Sequence, residues 1–252
     1  MHADFIIRGA EIIDGTGAPR RKGDVAVSDD RIVATGDLSH WTAGREIEAK
    51  GRIVSPGFID PHMHSAMAIL AEWLDLTAFT TPTLADALSK VGNAARRARP
   101  GEWVIGQGID PSLMPGEPLT RRSLDEAAPE NPVFILESNG HVGYANSAAL
   151  TLAGIGAERP DPPQGRYVRV DGELTGRLEE SPAFKPIMAV MPMPDAKRFV
   201  ALTRRLFDEA AAAGCTSLHD AGIGGGGVQD LDALDAVMAA NPPVRYSGFL
   251  TS

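Results

Sequence analysis

Ser55-Pro56-Gly57-Phe58-Ile59-Asp60-Pro61-His62-Met63-His64 is the stretch on which the reading of this chain turns. With Arg52-Ile53-Val54 before it, it reads as a short apolar strand interrupted by Pro-Gly and closed by two histidines. Residues two apart on extended backbone point the same way. Neutral imidazole is the commonest ligand for zinc and similar ions. His62 and His64 are therefore the first candidates for metal ligands. A bare His-x-His also occurs as two unrelated histidines in a turn, so its surroundings have to decide.

Toward the N-terminus the pattern is all strand. Phe5-Ile6-Ile7-Arg8 and Glu11-Ile12-Ile13 flank a Gly-Ala pair, and Asp14-Gly15-Thr16-Gly17 is a turn by composition. Asp24 to Val27 and Arg31 to Ala34 flank Ser28-Asp29-Asp30, which is a hairpin signal. A further strand is expected around Arg45 to Ala49. So few strands need partners from later in the chain or from another chain.

Beyond Ile53 strands alternate with helices. Leu84 to Ala98 carries Leu84, Leu88, Val91 and Ala95 at helical spacing. Trp103-Val104-Ile105-Gly106 and Pro132 to Leu136 read as buried strands. Ala196 to Ala213 reads as a long helix stopped by Gly214, and Cys215 to His219 as the strand after it. Leu231 to Ala240 reads as a helix and Val244 to Leu250 as a last strand. Such alternation predicts an α/β fold with a parallel sheet or a (β/α) barrel. Roughly five barrel-type strands follow Ile53, against the eight that a closed barrel needs. The chain stops at Ser252 just after the last strand with no covering helix, which predicts a fragment or a truncated reading frame. Gly224 to Gly227 reads as a flexible loop.

The chain has 252 residues, 43% of them hydrophobic and 23% charged, which suits a globular protein with an ordinary core. Its net charge of -9 argues against nucleic acid as a partner, because phosphate binding needs clustered Lys and Arg. No run of about 18 apolar residues is present, so no membrane span is expected. Met1-His2-Ala3-Asp4 lacks the basic start of a signal peptide, and the expected location is the cytoplasm. The single cysteine, Cys215, excludes an intrachain disulfide and reads as a small buried residue.

The motifs together resemble the amidohydrolase superfamily, whose first barrel strand carries a motif similar to Pro56-Gly57-Phe58-Ile59-Asp60-Pro61-His62-Met63-His64. The opening, Ile7-Arg8-Gly9-Ala10 through Asp14-Gly15-Thr16-Gly17-Ala18-Pro19, resembles the D-aminoacylase group. Three further stretches resemble the branch that contains N-substituted formamide deformylase. They are Gly106-Gln107-Gly108-Ile109-Asp110, Gly140-His141-Val142-Gly143-Tyr144-Ala145-Asn146-Ser147-Ala148-Ala149-Leu150 and Thr175-Gly176-Arg177-Leu178-Glu179-Glu180. The resemblance runs along the whole chain. It implies N-terminal β-sandwich strands over residues 1–53 and the first part of a (β/α)8 TIM-type barrel over residues 54–252. It also implies hydrolysis of a carbon–nitrogen bond in a small amide or formamide, with a divalent metal, zinc by preference. A homo-oligomer is compatible with it.

By the same resemblance His62 and His64 bind the metal, and Glu180 binds or bridges it. The plain alternative for Glu180 is a surface acid in a loop. His141 orients substrate or its developing oxyanion, with Asn146 supporting it through a side-chain hydrogen bond; otherwise His141 caps a turn. His219 and Asp220 close a later strand and face the same barrel mouth as catalytic candidates. The superfamily's further histidine ligands and its aspartate base are implied beyond Ser252. Two departures stand out: Asn139 precedes Gly140 where relatives tend to have an aspartate, and Ser181-Pro182 follows Glu180. Competing readings are a truncated non-catalytic relative, a ligand-binding remnant, and a different reaction such as deamination or ester hydrolysis on the same scaffold.

Overall fold

The strands in chain order are β1 (His2–Ile12), β2 (Arg21–Ser28), β3 (Arg31–Gly36), β4 (Thr42–Glu48), β5 (Ile53–Val54), β6 (Phe58–Met63), β7 (Leu74–Asp75), β8 (Val104–Ile109), β9 (Val133–Glu137), β10 (Val142–Ala145), β11 (Arg166–Val170), β12 (Glu173–Glu179), β13 (Cys215–Ile223) and β14 (Arg245–Leu250). The helices are α1 (Leu84–Arg97), α2 (Arg121–Ala127), α3 (Ser147–Leu152), α4 (Ser181–Met188), α5 (Ala196–Ala212) and α6 (Val228–Ala239), with a 3-10 helix at Ser65–Glu72. The computed structural model describes residues 1–224 and 228–250. The glycine run read as a loop lies, apart from Gly224, outside the described residues.

The chain divides into two compact units. The first holds residues 1–63, 207–222 and 242–249. The second holds residues 64–206 and, among the described residues, 223–224, 228–241 and 250. The sequence boundary after Ile53 falls inside the first unit.

In the first unit β1 is the hub of a five-stranded sheet. It pairs antiparallel with β2 and parallel with β4 and β5, and β2 and β3 form the expected hairpin. The two N-terminal segments that sequence separates are one strand with a bulge between Ile7 and Ala10. Gly9 takes the bulge at φ 63, a backbone conformation glycine adopts without a Cβ penalty. The extra residue resets the alternation, so Ile7, Ala10 and Ile12 all join one apolar cluster with Val25 and Ala49. Arg8 crosses the sheet, donating to Asp24 at 3.1 Å, Glu46 at 2.6 Å and the Leu38 carbonyl at 2.7 Å.

A separate three-stranded sheet of this unit has the order β14-β13-β6. Strands β6 and β13 run parallel, with Cys215 opposite Phe58 and Asp220 opposite Met63. Gly57 is required by this approach, since a Cβ there would lie 2.1 Å from Thr216 Cγ2. Cys215 is half-buried, not fully buried as its apolar neighbours suggest.

The second unit is built on a six-stranded sheet of order β11-β12-β10-β9-β8-β7. Strands β7, β8 and β9 are parallel, while β10, β12 and β11 join antiparallel. The apolar run Val133 to Leu136 of β9 is explained by burial on both faces. Val133 and Ile135 pack with Leu84, Val91 and Leu124 of α1 and α2. Phe134 packs on the other face with Leu150 of α3 and Phe184 and Ile187 of α4.

The pairings give a mixed α/β fold and do not by themselves show the expected first part of a barrel. Of the five strands counted after Ile53, only β6, β13 and β14 share a sheet. Strands β8 and β9 belong to the mixed sheet of the second unit, and no closed barrel forms among the described residues. Helix-and-strand alternation sets the local type of each segment, but pairing partners are chosen by which apolar faces meet.

Candidate functional site

His62 is the penultimate residue of β6, and His64 follows the strand on extended backbone at φ -136, ψ 107. Asp60 Oδ1 accepts the backbone N–H of His62 at 3.0 Å and turns the chain at the strand end. His62 is exposed and His64 half-buried. The spacing and strand-end position read from sequence are therefore present.

His219 and Asp220 lie in the middle of β13, not at its close. Adjacent strand residues face opposite sides. Asp220 is fully buried, while His219 is half-buried. The expectation that both point to one mouth is corrected by this alternation. Asp220 Oδ2 accepts the Tyr246 hydroxyl at 2.8 Å and Oδ1 accepts the Gly222 N–H at 3.0 Å. It thereby ties β13 to β14, with the Tyr246 ring resting 5.2 Å from that of Phe207.

In the second unit the structure brings His141 and Glu180 together. Nδ1 of His141 lies 2.9 Å from Glu180 Oε2, and the backbone N–H of Glu180 donates to the His141 carbonyl at 2.7 Å. The carboxylate expected to meet a metal is thus engaged by an imidazole. Both side chains are solvent-exposed, at 67% and 54%, so the pair is open to a ligand. They line a cleft of about 380 Å³ with Gln164, Arg166 and Glu179. Glu180 sits at φ 68, ψ 152, and Gln164 at φ 60. Two side-chain-bearing residues held at positive φ in one cleft is the kind of backbone strain that clusters at functional sites.

Asn146 does not support His141. Its buried amide is committed to backbone: Oδ1 accepts from Val133 at 2.9 Å and Ala149 at 3.0 Å, and Nδ2 donates to Asn131 O at 2.8 Å. It is the N-cap of α3 and a brace between loops. Sequence reading passed over Glu137 and Tyr144. The only available signal was an acid ending an otherwise apolar strand. Glu137 is buried and accepts the Tyr144 hydroxyl at 2.6 Å. Burial first, then that hydrogen bond, pushes the Tyr144 hydroxyl pKa up.

The amidohydrolase family matches residues 45–248, most of the chain. The chain belongs to the amidohydrolase family. N-substituted formamide deformylase of Arthrobacter pascens is 39% identical over 140 residues, 54% of this chain and 26% of that protein. N-acyl-D-glutamate deacylase of Alcaligenes xylosoxydans xylosoxydans is 54% identical over 61 residues, 24% of this chain and 12% of that protein. The solved structure of an uncharacterized metal-dependent hydrolase from Pyrococcus horikoshii OT3 superposes with a TM-score of 0.61 at 20% identity. That match covers 98% of this amidohydrolase chain and 48% of the solved one, and it shows a shared fold. This chain thus spans about half the length of that solved hydrolase, and its matches span a smaller share of the curated relatives.

Catalytic zinc usually has three protein ligands. Among the described residues of this amidohydrolase no group of three or more His, Cys, Asp or Glu could hold one ion. His62 and His64 have the donor chemistry and spacing for two positions. The described residues do not by themselves fit a catalytic metal.

Proposed function

We propose that this chain is the first part of a metal-dependent hydrolase of non-peptide carbon–nitrogen bonds, with small amides or formamides as substrates. The observation that carries the reading is the His62-Met63-His64 step at the end of β6 in a chain matched to the amidohydrolase family over residues 45–248. In this reading β6, β13 and β14 are strands of a (β/α)8 barrel completed by other residues. The ion is zinc, and the enzyme works in the cytoplasm. His62 and His64 supply two ligands. His141, with hydrogen on both ring nitrogens, donates from Nδ1 to the Glu180 carboxylate and from Nε2 to the substrate carbonyl, where a hydrogen-bond donor steadies developing negative charge. The deformylase and deacylase names of the relatives support the bond class.

A second reading, a non-catalytic amidohydrolase-like protein that binds ligands without turnover, is favoured by the absence of a three-donor group among the described residues. One experiment separates the two. Metal content and hydrolysis of N-formyl and N-acyl amines are measured on the 252-residue chain and on any longer product of the same reading frame. The enzyme reading expects near-stoichiometric metal and turnover in the active form, both lost in His62→Ala. Loss of neither would remove His62 from the site, and absence of turnover in every form would leave the second reading.

A further inference from the structure

The turn that carries His141 hangs on a chain of hydrogen bonds that no role above accounts for. The backbone N–H of His141 donates to Asn139 Oδ1 at 2.7 Å. Asn139 Nδ2 donates to Glu137 Oε2 at 2.7 Å, and the Tyr144 hydroxyl donates to Glu137 Oε1 at 2.6 Å. Arg177 donates to the Tyr144 oxygen at 3.3 Å and pairs with Glu179 at 3.1 Å. Glu137 is 7% exposed and Tyr144 2%, so the lower half of this chain is fixed in the core. His141 at the other end is exposed. Gly140 closes the turn at φ 74, and its N–H donates to the Glu137 carbonyl at 3.0 Å.

The chemistry of position 139 is unusually constrained. It must accept from a backbone N–H on one side and donate to a carboxylate on the other. An amide does both; a carboxylate can only accept when ionised. Its two hydrogen bonds also dictate which way the amide faces.

We infer that Asn139 and Glu137 are positioning residues for His141: the buried carboxylate holds the amide, and the amide sets the direction of the histidine's backbone. The inference rests on the proposed role of His141 in catalysis. It predicts a specific pattern of damage and repair. Asn139→Asp sets two carboxylates against each other at hydrogen-bond distance and frees the turn. Glu137→Gln alone is tolerated, because the glutamine oxygen can accept from Asn139 while its amide donates to the Tyr144 oxygen. The double variant Asn139→Asp/Glu137→Gln restores a donor facing an acceptor, with the glutamine amide donating to the aspartate.

The test measures kcat, KM and metal content in the active full chain, and amide hydrogen exchange at His141 by NMR in the same variants. Misplacing a catalytic group by about 1 Å costs up to roughly a hundredfold in rate. Asn139→Asp is therefore expected to lower kcat by about tenfold to a hundredfold with KM and metal content little changed. His141 N–H should exchange faster, and the double variant should recover both readouts. Asn139 is exposed, so its substitution leaves the core intact. Full activity in Asn139→Asp, or a double variant no better than it, would overturn the inference. If the unaltered chain hydrolyses no amide, the proposed function fails on its own. Exchange at His141 then decides the positioning role: accelerated in Asn139→Asp and repaired in the double variant supports it, and unchanged exchange overturns it.

Discussion

At the scale of single residues the cost of the candidate cleft is concentrated in Glu180. Its φ of 68 with ψ 152 lies where a Cβ is penalised, by an amount on the order of 1–3 kcal/mol. Glu180→Gly should therefore be more stable than Glu180→Ala by about 1 kcal/mol or more, since only the alanine keeps the Cβ. Urea unfolding of the two variants reads this directly, and equal midpoints would show that the backbone there is unstrained. Asn146 makes the opposite case, a buried polar residue whose side chain bonds the backbone. Asn146→Ala leaves the buried Val133 and Ala149 N–H groups without their partner, at a cost of about 1–3 kcal/mol each way they fail to find another. The same unfolding experiment should show a lower midpoint with no change in metal content; a drop in metal content would return Asn146 to the site. The pairing of His141 with Glu180 was not legible in sequence, because they are 39 residues apart and meet only when β10 pairs with β12.

At the scale of elements, helix α1 was readable nearly to the residue. Its apolar spacing buries Leu84, Ala87, Val91 and Ala95, and Thr83 caps it by accepting from the Asp86 N–H. Thr83→Ala should cost about 1 kcal/mol by the usual worth of such a cap, measurable as a shift in thermal midpoint. Strand β10 could not be read, because Val142-Gly143-Tyr144-Ala145 contains a glycine that looks like a breaker. The structure supplies its reason: a Cβ on Gly143 would lie 2.6 Å from Phe134 Cε2. Gly143→Ala is expected to destabilise by about 1–3 kcal/mol as the aromatic packing of Phe134 against Phe184 is forced apart. A neutral substitution would mean that the Phe134 ring has room to move.

At the scale of the whole molecule, charge decides the acid response. Asp161 is held below the usual carboxylate range, first by the Tyr167 backbone N–H and then by Arg169. Serine and threonine donors do the same for Asp110 and Asp14. A depressed folded pKa contributes stability that is complete above the unfolded value of about 4 and is lost as pH falls through the folded one. These groups predict a plateau above about pH 5 and a decline below about pH 4. Asp161→Asn should flatten that decline relative to the unaltered chain, followed by circular dichroism across the pH range; an identical acid limb would show that Asp161 is not among its causes. No helix among the described residues is long and apolar enough to cross a membrane.

The sequence by itself determined part of the local elements, the His62-x-His64 step and membership of the amidohydrolase family, because each is written in residues close together along the chain. Periodicity, capping and turn chemistry act over a few residues, and so they survive without a structure. Only the tertiary structure decided that β8 and β9 leave β6 for a mixed sheet, that His219 and Asp220 face apart, that Asn146 serves the backbone, and that Glu137 and Asn139 hold the turn of His141. Those outcomes depend on strand partners and register between distant segments, which are settled by which apolar faces can be buried together.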